Sequence, residues 1–153
     1  MPRPTMGRWM HGPPMIHGFR PFGMPHKMSN PVELLLEEYE AIKLADYEDL
    51  TQEMAAERMG VSRPTFTRIY DRARKKIAKG FVEALPIIIA GGNVRFRDKW
   101  YKCLGCNRIF KLENTKEGHG GQCGRMVKCP HCGSIDTLPI EEIFKRHFNR
   151  FHR

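Results

Sequence analysis

Apolar positions recur with a helical period from Thr51 to Lys79, broken once at Gly60. A first helix is predicted from Thr51, whose hydroxyl suits an N-cap, to Met59, with Met54 and Ala55 as its first apolar contacts. Gly60 stops it, because glycine takes the left-handed backbone conformation without steric cost, and Val61 then drops an apolar side chain between two helices. Ser62 caps the second helix, and Pro64 is tolerated in its first turn, where a missing N–H has no intrahelical partner. At about 100° per residue, Ile69, Tyr70, Ala73, Ile77 and Phe81 all fall within roughly 60° of Phe66, which makes one continuous apolar stripe.

Weaker patterns flank this pair. Pro31 to Asp46 reads as a preceding helix with Val32, Leu35, Leu36, Tyr39, Ile42 and Leu44 as core residues. Pro86 ends the second helix of the pair, Ile87 to Ile89 read as a short buried strand, and Gly91-Gly92-Asn93 reads as a hairpin turn into Val94 to Phe96. Met1 to Asn30 is rich in Pro, Gly, Met and His without a period, so an extended arm is expected, with His11, His17 and His26 too scattered for a metal site. After Pro139, Ile140, Ile143, Phe144, Phe148 and Phe151 line one face of a short amphipathic helix. Lys145, Arg146, Arg150 and Arg153 lie mainly off that face, which suits packing on neighbouring strands or on a partner subunit.

Charge changes the picture of the helix pair. Opposite the apolar stripe lie Pro64, Thr65, Arg68, Asp71, Arg72, Lys75 and Lys79, so four cations recur on the side that cannot be in the core. Residues 33–60 hold nine acids and two bases, whereas 61–83 hold seven bases and two acids: an acidic scaffold backs a basic helix. The whole chain carries +9 at neutral pH, and its cationic segments suit phosphate through counterion release. No run of about eighteen apolar residues exists and the Met-Pro-Arg start lacks a secretory h-region, so a soluble cytoplasmic protein with no membrane partner is expected.

Four of the five cysteines form two C-x-x-C pairs, Cys103 with Cys106 and Cys129 with Cys132, separated by 22 residues. Two such turns present four soft ligands for tetrahedral zinc, and Asn107 and Gly133 stand where a metal knuckle bends into positive φ. Lys99 to Lys102 and Arg108 to Leu112 read as the short strands of a zinc ribbon holding one structural Zn2+ at Cys103, Cys106, Cys129 and Cys132, with iron as the alternative metal. Disulfides do not suit a chain without an export signal, and four cysteine ligands leave no open position for catalytic water. Cys123, in GHGGQCG, reads as a free thiol in a loop, with a ligand swap or redox sensing as alternatives.

The expected fold class is mainly α: a three-helix helix-turn-helix domain followed by a small β zinc ribbon and a short C-terminal helix. Its boundaries would be an extended arm over 1–30, a helix-turn-helix domain with a short hairpin over 31–98, the ribbon over 99–139 and a basic amphipathic helix over 140–153.

Residues 3 to about 97 resemble a family of small uncharacterised prokaryotic proteins predicted to bind DNA, whose helix-turn-helix is similar to region four of bacterial sigma factors. The resemblance is carried by FRPFGMP at Phe19 to Pro25, EYEAIKLADYEDLTQEMAAERMGVSRPTF at Glu38 to Phe66, RARKKIA at Arg72 to Ala78 and GGN at Gly91 to Asn93. Relatives carry Cys-Arg-Arg early in the arm, where this chain has Gly7 to Trp9 without a cysteine. The resemblance implies a DNA-binding regulator in which Arg63, Pro64, Thr65, Thr67 and Arg68 align with the base-facing part of the reading helix. On residue chemistry, Arg63, Thr65, Thr67 and Arg68 would approach base edges while Arg72, Lys75 and Lys79 follow phosphates. The expected function is sequence-specific duplex-DNA binding by a non-enzymatic transcriptional regulator. The alternative is an adaptor that docks RNA polymerase or another transcription protein, and a homodimer is compatible with either.

Overall fold

The computed structural model describes residues 7–23, 30–112 and 127–151, the side chains of 147–151 excepted, and divides into two units, 1–95 and 96–153.

The first unit starts with β1 (Arg8–Met10) and β2 (Gly18–Phe19). It continues through β3 (Val32–Leu34), α1 (Leu36–Ile42), a π-helical turn at Lys43–Tyr47, α2 (Gln52–Met59) and α3 (Arg63–Val82). It closes on β4 (Ile87–Ile89) and β5 (Val94–Phe96). Ala41, Leu44, Ala55, Ala56, Met59, Phe66 and Ile69 form one buried cluster between the helices. Phe66 is fully buried, and burial of a side chain of that size is worth about 1.5–3 kcal/mol.

The strands decide the class. β4 runs parallel to β3 and antiparallel to β2, so Ile87 stands opposite both Val32 and Phe19, while β1 pairs with β5 in a second sheet. A third sheet, in the second unit, has the order β7-β6-β8, from β6 (Trp100–Cys103), β7 (Ile109–Lys111) and β8 (Thr137–Pro139). The last element is α4 (Ile140–Phe151), which packs on β6 and β8 and buries Ile140, Ile143 and Phe144.

Mainly α, as a three-helix helix-turn-helix domain, is therefore the wrong class: the described residues hold four α-helices and three small sheets in a mixed α and β arrangement. The helix expected over Pro31 to Asp46 is broken because Val32–Leu34 take the ladder offered by Ile87–Ile89. The arm is not a bare extension either, since two of its segments are strands and its Met10 is fully buried. Nor does GGN make a hairpin: β4 and β5 lie in different sheets, and the turn carries the chain from one to the other. Phe81, placed on the apolar stripe by its spacing, is 86% exposed because α3 runs on past the cluster it helps to cover.

Candidate functional site

The α2–α3 junction is built by local bonds. Thr51 Oγ1 accepts from the Met54 N–H at 3.3 Å, and Ser62 Oγ accepts from the Thr65 N–H at 3.4 Å. Gly60 ends α2 at φ 67°, and a Cβ there would also lie 2.8 Å from Trp9 Cδ1. Glycine is thus required twice, by the backbone turn and by the indole that β1 lays over it.

The cations of α3 divide into two groups. Arg63 Nε pairs with Glu53 Oε1 at 2.9 Å, the Arg74 guanidinium lies 5.4 Å from the centre of the Tyr70 ring, and Lys76 Nζ meets the buried Glu38 carboxylate at 2.7 Å. Arg68, Arg72, Lys75 and Lys79 are exposed and make no ion pair among the described residues. These four fall within about 60° of one another around the helix axis, opposite Phe66. Pro64 and Thr65 stand at the start of the same face, with Thr65 Oγ1 2.8 Å from Ser62 Oγ. Thr67 does not join them: its hydroxyl donates to Gln52 Oε1 at 2.7 Å and ties α3 to α2.

The charges behind this face were not legible as structure. Glu37, Glu38 and Glu40 are 4%, 0% and 0% exposed on α1. Arg8 Nη1 stands 3.4 Å from Glu37, whose other oxygen accepts the Asn93 N–H at 3.1 Å. Glu38 Oε2 also accepts the Leu35 N–H at 2.9 Å, and Glu40 Oε1 takes the His11 N–H and faces His11 Nδ1, each at 3.2 Å. GGN thus cradles a carboxylate: a Cβ on Gly92, at φ 91°, would collide with Glu37 Oε2. The sequence places Glu37 on one helical face with Ala41 and Leu44 by i, i+4, i+7 spacing, but carries no signal for the partners Arg8 and Asn93 that let it be buried there.

The second unit brings Cys103, Cys106, Cys129 and Cys132 together, with all four Sγ atoms within 4.8 Å of one another. Cys103 Sγ lies 3.5 Å from Cys132 Sγ and Cys106 Sγ 3.7 Å from Cys129 Sγ, too far for disulfides. Four thiolates about 2.3 Å from a central ion at tetrahedral angles stand about 3.8 Å apart, close to the two distances above, so the cluster could hold a metal ion. Both turns have knuckle geometry. Asn107 and Gly133 take φ of 61° and 72°, the Cys106 N–H donates to Cys103 Sγ at 3.4 Å, and the Gly133 N–H bonds the Cys129 carbonyl at 2.9 Å.

The thiols are unequal in acidity. Burial pushes Cys129 up, but the backbone N–H groups of Cys132 and His131, with Cys106 and Cys103 beside it, outweigh that and lower it to about 7. At Cys132 the Ser134 N–H acts to lower the value, yet the neighbouring Cys103, burial, Cys106 and Cys129 together raise it to about 11. Of these two thiols Cys129 is thus the one that ionises more readily, and Cys132 gives up its proton when a cation replaces it. Cys123 lies outside the described residues, as do His26, Arg153 and the side chains of Phe148, Arg150 and Phe151. Among the described residues no helix is long and apolar enough to cross a membrane.

Residues 1–97 match the family described as "Protein of unknown function DUF134". A UPF0251 protein of Chloroherpeton thalassium is 40% identical over 144 residues, covering 94% of this chain and 90% of the relative. One from Methanothermobacter thermautotrophicus is 40% identical over 145 residues, 94% of this chain and 71% of the relative, and one from Clostridium botulinum is 39% identical over 138 residues, 90% and 83%. These alignments run past residue 97 into the cysteine-bearing unit. No solved structure matches the chain. By the match of its first 97 residues and this likeness along nearly its whole length, the chain belongs to the DUF134, or UPF0251, family.

Proposed function

We propose that this chain binds duplex DNA through the outer face of α3, as a transcriptional regulator and not as an enzyme, with a single structural zinc in the second unit. One observation carries the reading: four cations on one helix face stay exposed and make no ion pair among the described residues, while their neighbours on the same helix are occupied by acids or by an aromatic ring. The N-terminal turn of α3, behind the Gly60 turn, is the end that enters a major groove in helix-turn-helix readers. Arg68 and Thr65 then approach base edges, and Arg63 joins them by leaving Glu53, an exposed pair that costs little to break. Thr67 is reassigned to holding α2 against α3. Arg72, Lys75 and Lys79 follow the phosphates.

Duplex binding by the full metal-loaded chain, measured by fluorescence anisotropy against salt, tests this. Affinity should fall with a log–log slope of about −0.9 per phosphate contact, and Lys75→Ala should flatten it by about one unit without changing sequence preference. Absence of duplex binding at low salt would turn the helix pair into a protein-docking surface. Four tetrahedral thiolates suit zinc or iron, and zinc is preferred on its abundance and because Asn107 stands where an iron knuckle would carry glycine. Metal analysis should give one colourless zinc per chain, lost in Cys129→Ser; a coloured, redox-active iron centre would overturn the assignment.

A further inference from the structure

The C-terminal end of α3 has a different character from its basic face. There α1, α3 and the β2-β4-β3 sheet enclose an open groove of about 780 Å³, within the roughly 300–1,000 Å³ range of small-molecule sites. Its lining is apolar, with Ile42, Ile77, Ile87 and Ile89 along it, and the rings of Tyr47 and Phe81 border it while remaining 82% and 86% exposed. Phe66 is completely buried, whereas Phe81, on the same helical stripe, is exposed beside this apolar surface.

The charged groups that line the groove have one sign. Arg20 and Lys43 line it, and no acid does. Lys43 Nζ stands 3.9 Å from the Glu40 carboxylate and 3.8 Å from that of Glu48, so its charge is already answered by two acids. Arg20 is exposed and makes no ion pair among the described residues. A neutral apolar ligand would leave Arg20 unanswered and a cationic one would be repelled by it. We propose that this groove binds a small aliphatic carboxylate of medium chain length, its chain against the isoleucines and aromatic rings and its carboxylate on Arg20. The site does not depend on the DNA-binding reading, and it is tested without DNA.

Calorimetric titration of the full metal-loaded chain with sodium decanoate, below the concentration at which it forms micelles, is the direct experiment, with decanol as the uncharged comparison. Saturable one-to-one decanoate binding is expected, about three- to fivefold tighter than decanol, the worth of one exposed charged contact. Arg20→Ala should remove that preference, and Phe81→Ala should weaken both ligands. Both side chains are exposed, so the fold is expected to survive, and matching thermal melts check that it does. Lack of saturable binding, equal affinity for decanoate and decanol, or binding indifferent to both substitutions overturns the proposal. A dimer abolished by Phe81→Ala and unaffected by saturating decanoate also overturns it, and gives the groove to a second copy of the chain.

Discussion

Helices α1 and α3 touch along the core of the first unit, and they use charge in opposite ways. On α1, Glu37, Glu38 and Glu40 are buried, and each is answered by a group from elsewhere in the chain: Arg8, Lys76 and His11. On the outer face of α3, four cations are exposed and answered by nothing among the described residues. A buried carboxylate without its partner is an uncompensated charge in a poor solvent, so the α1 network binds the fold together wherever it is complete. An exposed cation costs the folded chain almost nothing and is free for a ligand. Charge count alone does not separate the two roles; burial does.

The sharpest way to break the comparison is Arg8→Met. It strands Glu37, at 6% side-chain exposure, with only the Asn93 N–H, and should cost about 3 kcal/mol in urea unfolding. A loss below about 1 kcal/mol would mean that the network is dispensable. Next in size is Gly60→Ala, which combines a left-handed backbone with a clash against Trp9 and should cost about 2 kcal/mol. Equal stability of this variant would show that the α2–α3 turn is not held in the geometry described.

Neighbouring lysines sharpen the contrast further. Lys76→Met removes the partner of buried Glu38 and should destabilise by about 1–2 kcal/mol, discounted because Lys76 is a third exposed, whereas Lys75→Met should stay within about 0.5 kcal/mol. Duplex affinity should rank the two the other way, with the larger loss in Lys75→Met. If both lysines affected stability alike, the division between structural and available charge would fail.

The smallest effect is at Tyr70, whose hydroxyl donates to Asp46 Oδ1 at 2.7 Å. That bond, then burial and the Asp46 charge, raise the phenol above its usual value of 10, the Arg74 guanidinium opposing. A raised acid holds its proton more tightly in the folded chain, so its contribution is complete below the ordinary tyrosine range and is lost as the pH climbs through the raised value. Tyr70→Phe should therefore cost about 0.5–1 kcal/mol at neutral pH and progressively less above pH 10. A difference that grows with alkalinity would contradict this account.

The sequence by itself determined what depends on near neighbours. The Thr51 and Ser62 caps, the left-handed Gly60, the basic stripe of α3 and the two knuckle turns with Asn107 and Gly133 are all set by residues one to four or so positions apart. At that range helical spacing and backbone sterics leave few alternatives. What escaped depends on remote partners. Val32–Leu34 become a strand because Ile87–Ile89 arrive beside them, and the arm is fold rather than tail because Arg8 and Trp9 meet Glu37 and Gly60. Only the tertiary structure decided which charges are buried, since a carboxylate on an apolar helix face is tolerated when a distant cation and a turn's N–H close around it, and no local pattern says where those will come from.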